Sequence, residues 1–363
     1  MKELLNILFL PFSWLYGGIM YIRNMLYDTN LFKVHSFDIH TIGIGNLSMG
    51  GDGKTPMAEY LIELCKSQGI QPSVLSRGYK RNSKGFVFAT SQHGSAELGD
   101  EPYLFFTKYK VPVAVDENRV RGIRKMQAQK DFNAQVIVLD DVYQHRSVKA
   151  GLTILVSDFK RPFFNDFVLP SGRLREFPKA CERADIVVFT KTPEHITAME
   201  MKSMLKDFKI YPHQHVFFSF TKYGELYHIN DAQQTLNTLK ELCHLKVILF
   251  CGIANPEPMI TYLSEYALSV HPVTYPDHHR YTTQDITQLQ TYFEAFTTPQ
   301  KILVTTEKDL MRLKDPHVWA LAKDLPIYVL PLHFTFKDKQ SEFDALILHY
   351  VRRTKPYAGV FKN

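Results

Sequence analysis

The sequence predicts an α/β protein. It should hold a mostly parallel sheet flanked by helices, a second smaller α/β unit, and an N-terminal hydrophobic membrane-associating helix. Three observations carry that expectation. Short β-branched runs alternate with helical stretches along most of the chain, as in parallel strands joined by covering helices. A glycine-rich turn ending in Gly53-Lys54-Thr55 separates the first of those runs from the first long helical stretch. The chain also opens on an apolar segment, with no charged side chain from Leu4 to Ile22.

The opening segment is 19 residues long, just enough to span a bilayer as a helix. Asn6, Pro11, Ser13, Gly17 and Gly18 interrupt it. Asn6, Ser13, Gly17 and Asn24 fall on one narrow stripe at about 100° per residue. Leu5, Leu8, Phe12, Trp14, Leu15, Ile19 and Ile22 make up the remaining face. A cleaved signal would want a small-residue site, and Tyr16 to Arg23 offers no convincing one. A true span is weakened by Pro11 and the paired glycines, and packing on the protein's own core is the plain alternative. The expected state is an interfacial helix with Trp14, Tyr16 and Tyr21 at headgroup level, followed by Arg23.

Strands are expected at Phe37 to Gly45, Pro72 to Ser76, Val111 to Val115, Gln135 to Asp140, Leu152 to Val156 and Asp185 to Thr190. Helices are expected at Lys54 to Ser67, Glu101 to Tyr109 and Asn118 to Lys130. A second set of strands follows at Val216 to Thr221, Lys246 to Cys251, Lys301 to Thr305 and Pro326 to Leu330. Helical candidates lie at Pro256 to Tyr266, Thr283 to Ala295 and Ser341 to Val351. The expected organisation is a membrane-facing segment at 1–34, a first α/β domain at 35–200 that carries the glycine-rich turn, and a second α/β domain at 201–363.

Composition narrows the class. With 45% hydrophobic and 22% charged residues in 363, the chain is neither disordered, collagen-like nor coiled coil. A mean hydropathy of -0.18 excludes a polytopic membrane protein. The net charge of +6 favours phosphates or a membrane surface as partners, and no nucleic acid is expected. Four cysteines without metal spacing fit reduced thiols in a cytosolic protein.

The chemistry centres on Gly45-Asn46-Leu47-Ser48-Met49-Gly50-Gly51-Asp52-Gly53-Lys54-Thr55-Pro56. A glycine-rich turn between strand and helix is the setting of a P-loop, so the first unit is of the P-loop NTPase type. The backbone N–H groups of Ser48 to Thr55 would cradle phosphate oxygens, with help from the helix dipole. Lys54 would reach the β- and γ-phosphates, and Thr55 would hold Mg²⁺. Ser48 stands where the usual pattern has its first glycine.

Asp140 and Asp141 end an apolar strand, the usual position for ordering Mg²⁺ and its waters. Asp100-Glu101 opens a helix, where acids complement the dipole or serve as base and metal ligand. Asp277-His278-His279 suits proton transfer, since an Asp beside a His can orient it. Arg119, Arg121, Arg124 and Lys125 cluster at one helix start, and Arg173 and Arg175 follow Pro170-Ser171-Gly172. Either group holds an anionic substrate or forms a solvated basic face.

Taken together these residues resemble the tetraacyldisaccharide 4'-kinase family, the lipid A kinases of Gram-negative bacteria. The motifs that carry the resemblance are the Gly45–Pro56 loop, Ser76-Arg77-Gly78-Tyr79, Gly99-Asp100-Glu101-Pro102 and Asn118-Arg119. They continue with Asp140-Asp141-Val142-Tyr143-Gln144-His145, Leu169 to Glu176, Asp277 to Tyr281 and Thr305 to Asp309. Val142 and Tyr143 depart from the Gly and Phe of the family signature. The resemblance implies ATP- and Mg²⁺-dependent phosphorylation of the 4'-hydroxyl of a lipid A disaccharide 1-phosphate. It implies a peripheral enzyme on the cytoplasmic face of the inner membrane, with no obligate protein partner.

By the same resemblance Asp100 acts as base, with His278 and Asp277 beside it, and Lys54 neutralises the migrating phosphoryl group. Thr55, Glu101, Asp140 and Asp141 manage the metal. Asn118, Arg119, Arg121, His145, Gly172 and Arg173 contact the acceptor. The competing reading is a membrane-associated GTPase or ATPase switch acting on a protein partner. A GTPase would want Asn-Lys-x-Asp, and Thr190-Lys191-Thr192-Pro193 is not that motif.

Overall fold

The first described element is a helix that turns its apolar side outward. A computed structural model describes residues 9–236 and 238–353. The start of the apolar segment, with Leu5, Asn6 and Leu8, lies outside them. Helix α1 (Leu10–Asp28) has Pro11 in its first turn, where no N–H is needed. Its buried residues are Ser13 and Gly17, two members of the small and polar stripe. Phe12, Trp14, Leu15, Ile19 and Ile22 are 54–73% exposed. No helix among the described residues is long and apolar enough to cross a membrane.

The chain then builds β1 (His40–Gly45), α2 (Lys54–Ser67), β2 (Pro72–Ser76), β3 (Val87–Phe88) and α3 (Asp100–Tyr109). It continues with β4 (Val113–Val115), α4 (Arg119–Gln127), β5 (Val136–Leu139), β6 (Leu152–Asp158), β7 (Ile186–Thr190) and β8 (His215–Tyr223). A second set follows: β9 (Leu226–His228), β10 (Asp231–Leu236), β11 (Lys246–Cys251), α5 (Glu257–Tyr266), β12 (Ser269–Thr274), α6 (Thr283–Glu294), β13 (Lys301–Thr306), α7 (Glu307–Leu313) and β14 (Ile327–Leu330). β15 (Leu332–Phe336) and α8 (Gln340–Val351) end the described chain.

These strands make two sheets. The larger runs β15-β8-β7-β6-β1-β5-β2-β4-β3, and the smaller β10-β9-β14-β13-β11-β12. Within the larger sheet β1 pairs in parallel with β5 and β6, so it sits centrally and its C-terminal end opens between neighbours. Only β3 and β15, at the two edges, pair antiparallel. The central strands are buried on both faces, consistent with their continuous apolar runs.

Sheet membership does not change at residue 200. The chain leaves the larger sheet after Tyr223 and rejoins it at Leu332. Residue 200 falls between β7 and β8, which pair with each other in parallel. The final helix also returns to the larger sheet. Phe343, Ile347 and Tyr350 pack among Ile42, Val136, Ile154 and Phe217. The Tyr350 hydroxyl accepts from the backbone N–H of Thr41 at 3.1 Å and donates to its carbonyl at 3.2 Å. A contact between positions so far apart in sequence gives no local signal.

Candidate active site

The loop after β1 is held from inside by a buried carboxylate. Asn46 Nδ2 donates to Asp52 Oδ2 at 2.8 Å, and Ser48 Oγ donates to the same oxygen. Ser48 therefore has a structural task at the position where the usual pattern has glycine. Thr190 Oγ1, at the end of β7, donates to the Asp52 carbonyl at 2.7 Å. Gly53 enters α2 with φ of 89°, and a Cβ there would meet Thr190 Cγ2 at 3.1 Å. Asp52 thus shapes the loop rather than facing its mouth, while Met49 is 51% exposed there.

A second loop is zipped to the first. Met49 N donates to the Arg173 carbonyl at 2.7 Å, and Arg175 N donates to the Leu47 carbonyl at 2.7 Å. Helix α1 grips this second loop. Ser171 N donates to Ser13 Oγ at 2.9 Å, and Asn24 Nδ2 donates to Glu176 Oε2 at 2.7 Å. Gly17 lies so close to Phe177 that an added Cβ would meet its Cζ at 2.4 Å. The narrow stripe of α1 therefore braces the loop that is zipped to the glycine-rich turn, and the apolar face stays outside.

Lys54, the first residue of α2, bridges β1 and β5. Its Nζ lies 3.0 Å from Asn46 Oδ1 and 3.2 Å from Asp141 Oδ1. Asp140 Oδ2 accepts from Ser76 Oγ at 2.8 Å. Burial, and then the Asp141 carboxylate, push the Asp140 carboxyl up to about 6, with Glu101 adding to the effect. Burial also works to raise Asp141, yet Lys54 and Arg175 hold it below the usual carboxylate range. Arg175 Nη1 sits 3.6 Å from Asp141 Oδ1, and Gln144 Oε1 accepts from it at 3.2 Å.

The helix α3 brings a second pair of acids to this place. Arg312 and His278 meet on one oxygen of Asp100. Arg312 Nε and Nη2 lie 2.9 and 2.8 Å from Oδ2, and His278 Nδ1 lies 3.1 Å from it. Burial works to raise Asp100, but His278 and Arg312 together hold it below its ordinary value. Glu101 pairs with Lys308 at 2.8 Å and is likewise held down against its burial. Arg312 Nη1 also bonds Asp309 Oδ1 at 2.8 Å and the Gly252 carbonyl at 2.7 Å, and His278 N donates to that carbonyl at 3.1 Å. Asp100 belongs to the larger sheet's helices and Arg312 to the smaller sheet's, so the pair ties the two units at the site.

The other sequence candidates sort themselves by contact. Asp277 Oδ2 is 3.8 Å from His278 Nε2, beyond a hydrogen bond. Asn118 caps α4 by accepting from Arg121 N, and Arg121 forms a two-point pair with Asp116 at 2.6 and 2.9 Å. Arg119 is 1% exposed, and its guanidinium donates to the carbonyls of Asp116 and Asp140. Burial lowers its pKa to about 10. It therefore braces the end of β5 from within. Burial, Arg119 and Arg77 depress His145 to about 4, so it is neutral at pH 7. Arg173 pairs with Asp166 at 2.8 Å, beside Gly172.

Arg312 was absent from the expected site. Its only local sign is an acid three residues earlier, Asp309, a spacing shared by many surface helix pairs. Asn46, which holds the lysine, also carried no signal of its own beyond membership of the loop.

The chain matches the family model for tetraacyldisaccharide-1-P 4'-kinase over residues 5–352. It is 40% identical over 353 residues to the tetraacyldisaccharide 4'-kinase of Bacteroides thetaiotaomicron, covering 94% of this chain and 92% of that one. It is also 40% identical to the enzyme of that name from Flavobacterium johnsoniae, covering 97% and 98%. A crystal structure of "apo" form LpxK from Aquifex aeolicus in complex with ATP superposes with a TM-score of 0.73 at 28% identity, over 96% of this chain and 100% of that one. The switch reading finds no support in these matches, which are to kinases. The chain belongs to the tetraacyldisaccharide-1-P 4'-kinase family.

Proposed function

We propose that the chain binds ATP at the Gly45–Pro56 loop and transfers its γ-phosphoryl group to the 4'-hydroxyl of a tetraacyldisaccharide 1-phosphate, a step of lipid A biosynthesis. One observation carries the reading. Lys54, at the start of the helix after the glycine-rich loop, lies 3.2 Å from Asp141 at the end of β5, the pairing of a phosphate-binding lysine with a metal-holding carboxylate.

Phosphoryl transfer depends on positioning and charge neutralisation. Arg312 and His278 occupy Oδ2 of Asp100, so Oδ1 is the oxygen to accept the proton of the 4'-hydroxyl. The freed sugar oxygen forms a bond to the γ-phosphorus as the bond to the bridging β,γ-oxygen breaks, and ADP leaves. Lys54 exchanges part of its contact with Asp141 for the migrating phosphoryl oxygens. Mg²⁺ takes hard oxygen donors, with one or two carboxylates beside phosphates and water. Asp140, Asp141, Glu101 and the Thr55 hydroxyl are such donors, and burial beside the Asp141 carboxylate raises the cost of ionising Asp140, which a cation would offset. Bound there, the cation supplies charge neutralisation at the phosphates.

Acceptor contacts are assigned to Asn118, Arg121, His145, Gly172 and Arg173, with Arg119 supporting them from beneath. The outward face of α1, continued by Phe167 at 61% and Leu31 at 71% exposure, would rest in the cytoplasmic surface of the inner membrane. The acceptor's acyl chains are embedded there while ATP is in water, so an apolar foot beside a phosphate loop fits both substrates. No nucleic acid or obligate protein partner enters this reading.

The test is incubation with labelled ATP, Mg²⁺ and lipid A disaccharide 1-phosphate in detergent. A labelled bisphosphorylated lipid, lost in Lys54→Ala, is the expected result. ATP hydrolysis without labelled lipid would overturn the assignment.

A further inference from the structure

Lys108 joins three helices that each carry a charged group of the candidate site. Its Nζ lies 2.8 Å from Glu59 Oε2 and 2.7 Å from Glu307 Oε1. Glu59 belongs to α2, which begins at Lys54. Glu307 is the first residue of α7, which also carries Arg312. Lys108 itself lies in the last turn of α3, about 12 Å along that helix from Asp100. One ammonium group therefore connects the helices of Lys54, Asp100 and Arg312.

Helix α3 is held to α7 at both ends. Arg312 binds Asp100 at one end, and Glu307 binds Lys108 at the other. Between them Leu104 shares an apolar cluster with Leu310 and Met311. The side chains of Glu59 and Glu307 are only 13% and 10% exposed, so solvent and salt screen the bridge weakly. The Tyr109 hydroxyl lies 2.7 Å from Glu59 Oε2 and 2.9 Å from Glu63 Oε1, which fixes the α2 partner. Burial works to lower Lys108, yet Glu59 and Glu307 hold it above its ordinary value. Burial raises Glu307, and Lys108 works against that rise.

Phosphoryl transfer is sensitive to the spacing of its reacting groups, and a misplacement of about 1 Å can cost roughly a hundredfold in rate. We propose that Lys108 is a positioning residue for this transfer, its bridge from Glu59 to Glu307 setting how far the Asp100 carboxylate stands from the phosphate loop. The proposal rests on the kinase reading and adds a residue outside both the loop and the acceptor contacts.

The full chain is compared with Lys108→Met, Lys108→Arg and Lys108→Met/Glu307→Gln. Steady-state kinetics use labelled ATP and lipid A disaccharide 1-phosphate in detergent, with a melting curve and an ATP titration for each protein. Lys108→Met should lower kcat roughly 10- to 100-fold and kcat/KM for the acceptor in proportion. Its affinity for ATP should stay within about twofold. Lys108→Arg, whose fork can reach both carboxylates, should recover most of kcat. The double variant loses the carboxylate left uncompensated, so its melting temperature should return toward that of the wild type while kcat stays low. A bridge that served stability alone would move the two together.

A kcat within about twofold in folded Lys108→Met, or a double variant that regains kcat along with stability, would overturn the proposal and leave the kinase reading standing. If Lys108→Met does not fold, the double variant carries the test, with low kcat supporting the proposal and restored kcat overturning it. A wild type that hydrolyses ATP without labelling the lipid would remove the kinase reading and the proposal with it.

Discussion

Arg312 holds Asp100 by a single oxygen, with Nε and Nη2 at 2.9 and 2.8 Å from Oδ2, and it does so from the other sheet's unit. The guanidinium also binds Asp309 and the carbonyl of Gly252, which receives the N–H of His278. It connects Asp100, His278 and the loop that carries His278.

Arg312→Gln should therefore lower kcat at least about tenfold, roughly 1.4 kcal/mol of barrier. KM for ATP should stay within about twofold, because the ATP loop is not touched. Asp309 is left buried without its partner, so about 3 kcal/mol of stability should go too. Arg312→Lys, which keeps the charge and loses the fork, should fall between. Steady-state kinetics with a melting curve checks both. An unchanged kcat in a folded Gln variant would remove Arg312 from the site.

Asp100→Asn should abolish turnover while sparing ATP binding. The amide keeps a similar shape but takes up no proton. The measurement is kcat with a fluorescent or labelled nucleotide titration beside it. A loss under about tenfold would show that Asp100 is not the base.

Gly17→Leu should push α1 away from Phe177, where even a Cβ has only 2.4 Å. Overpacking of this kind costs roughly 1–3 kcal/mol. Limited proteolysis should cut within Leu10–Asp28 sooner than in the wild type, with ATP binding kept. Phe177→Ala should relieve much of the effect, and a double-mutant cycle reads the coupling.

His145 makes stability depend on pH in a known direction. Its folded pKa, about 4, lies below the ordinary 6.5. The fold therefore favours the neutral ring. That contribution is complete above pH 6.5 and is lost as the pH falls from 6.5 toward about 4. Between pH 7.5 and 5 the wild type should lose about 2 kcal/mol more than His145→Gln. Urea unfolding at the two pH values measures the difference, and parallel losses would refute it.

Much of the fold was legible in local patterns. Lys54–Ser67, Pro72–Ser76 and Lys246–Cys251 have the ends that their periodicity predicts. The strands β3, β9, β10, β12 and β15 were not predicted. β3 and β9 hold two and three residues, too few to show a period. β12 alternates weakly and is half exposed.

The stripe of α1 was visible as a spacing, but which side faced the protein was not. Ser13, Gly17 and Asn24 look like the solvent side of an amphipathic helix. They face inward because Ser171, Phe177 and Glu176 meet them, and those residues lie more than 150 positions away.

By itself the sequence determined the glycine-rich turn between β1 and α2 and the strand–helix rhythm, and it singled out Asp100, Asp140 and His278 as candidates. Each of these is carried by neighbours within a dozen residues, where residue type and spacing limit the conformation. Tertiary structure alone decided that Arg312 shares Asp100 with His278, that Arg119 points into the protein, and that α8 rejoins the first sheet. Those outcomes depend on which buried charges and apolar faces find each other across long separations, and a linear pattern holds no term for that.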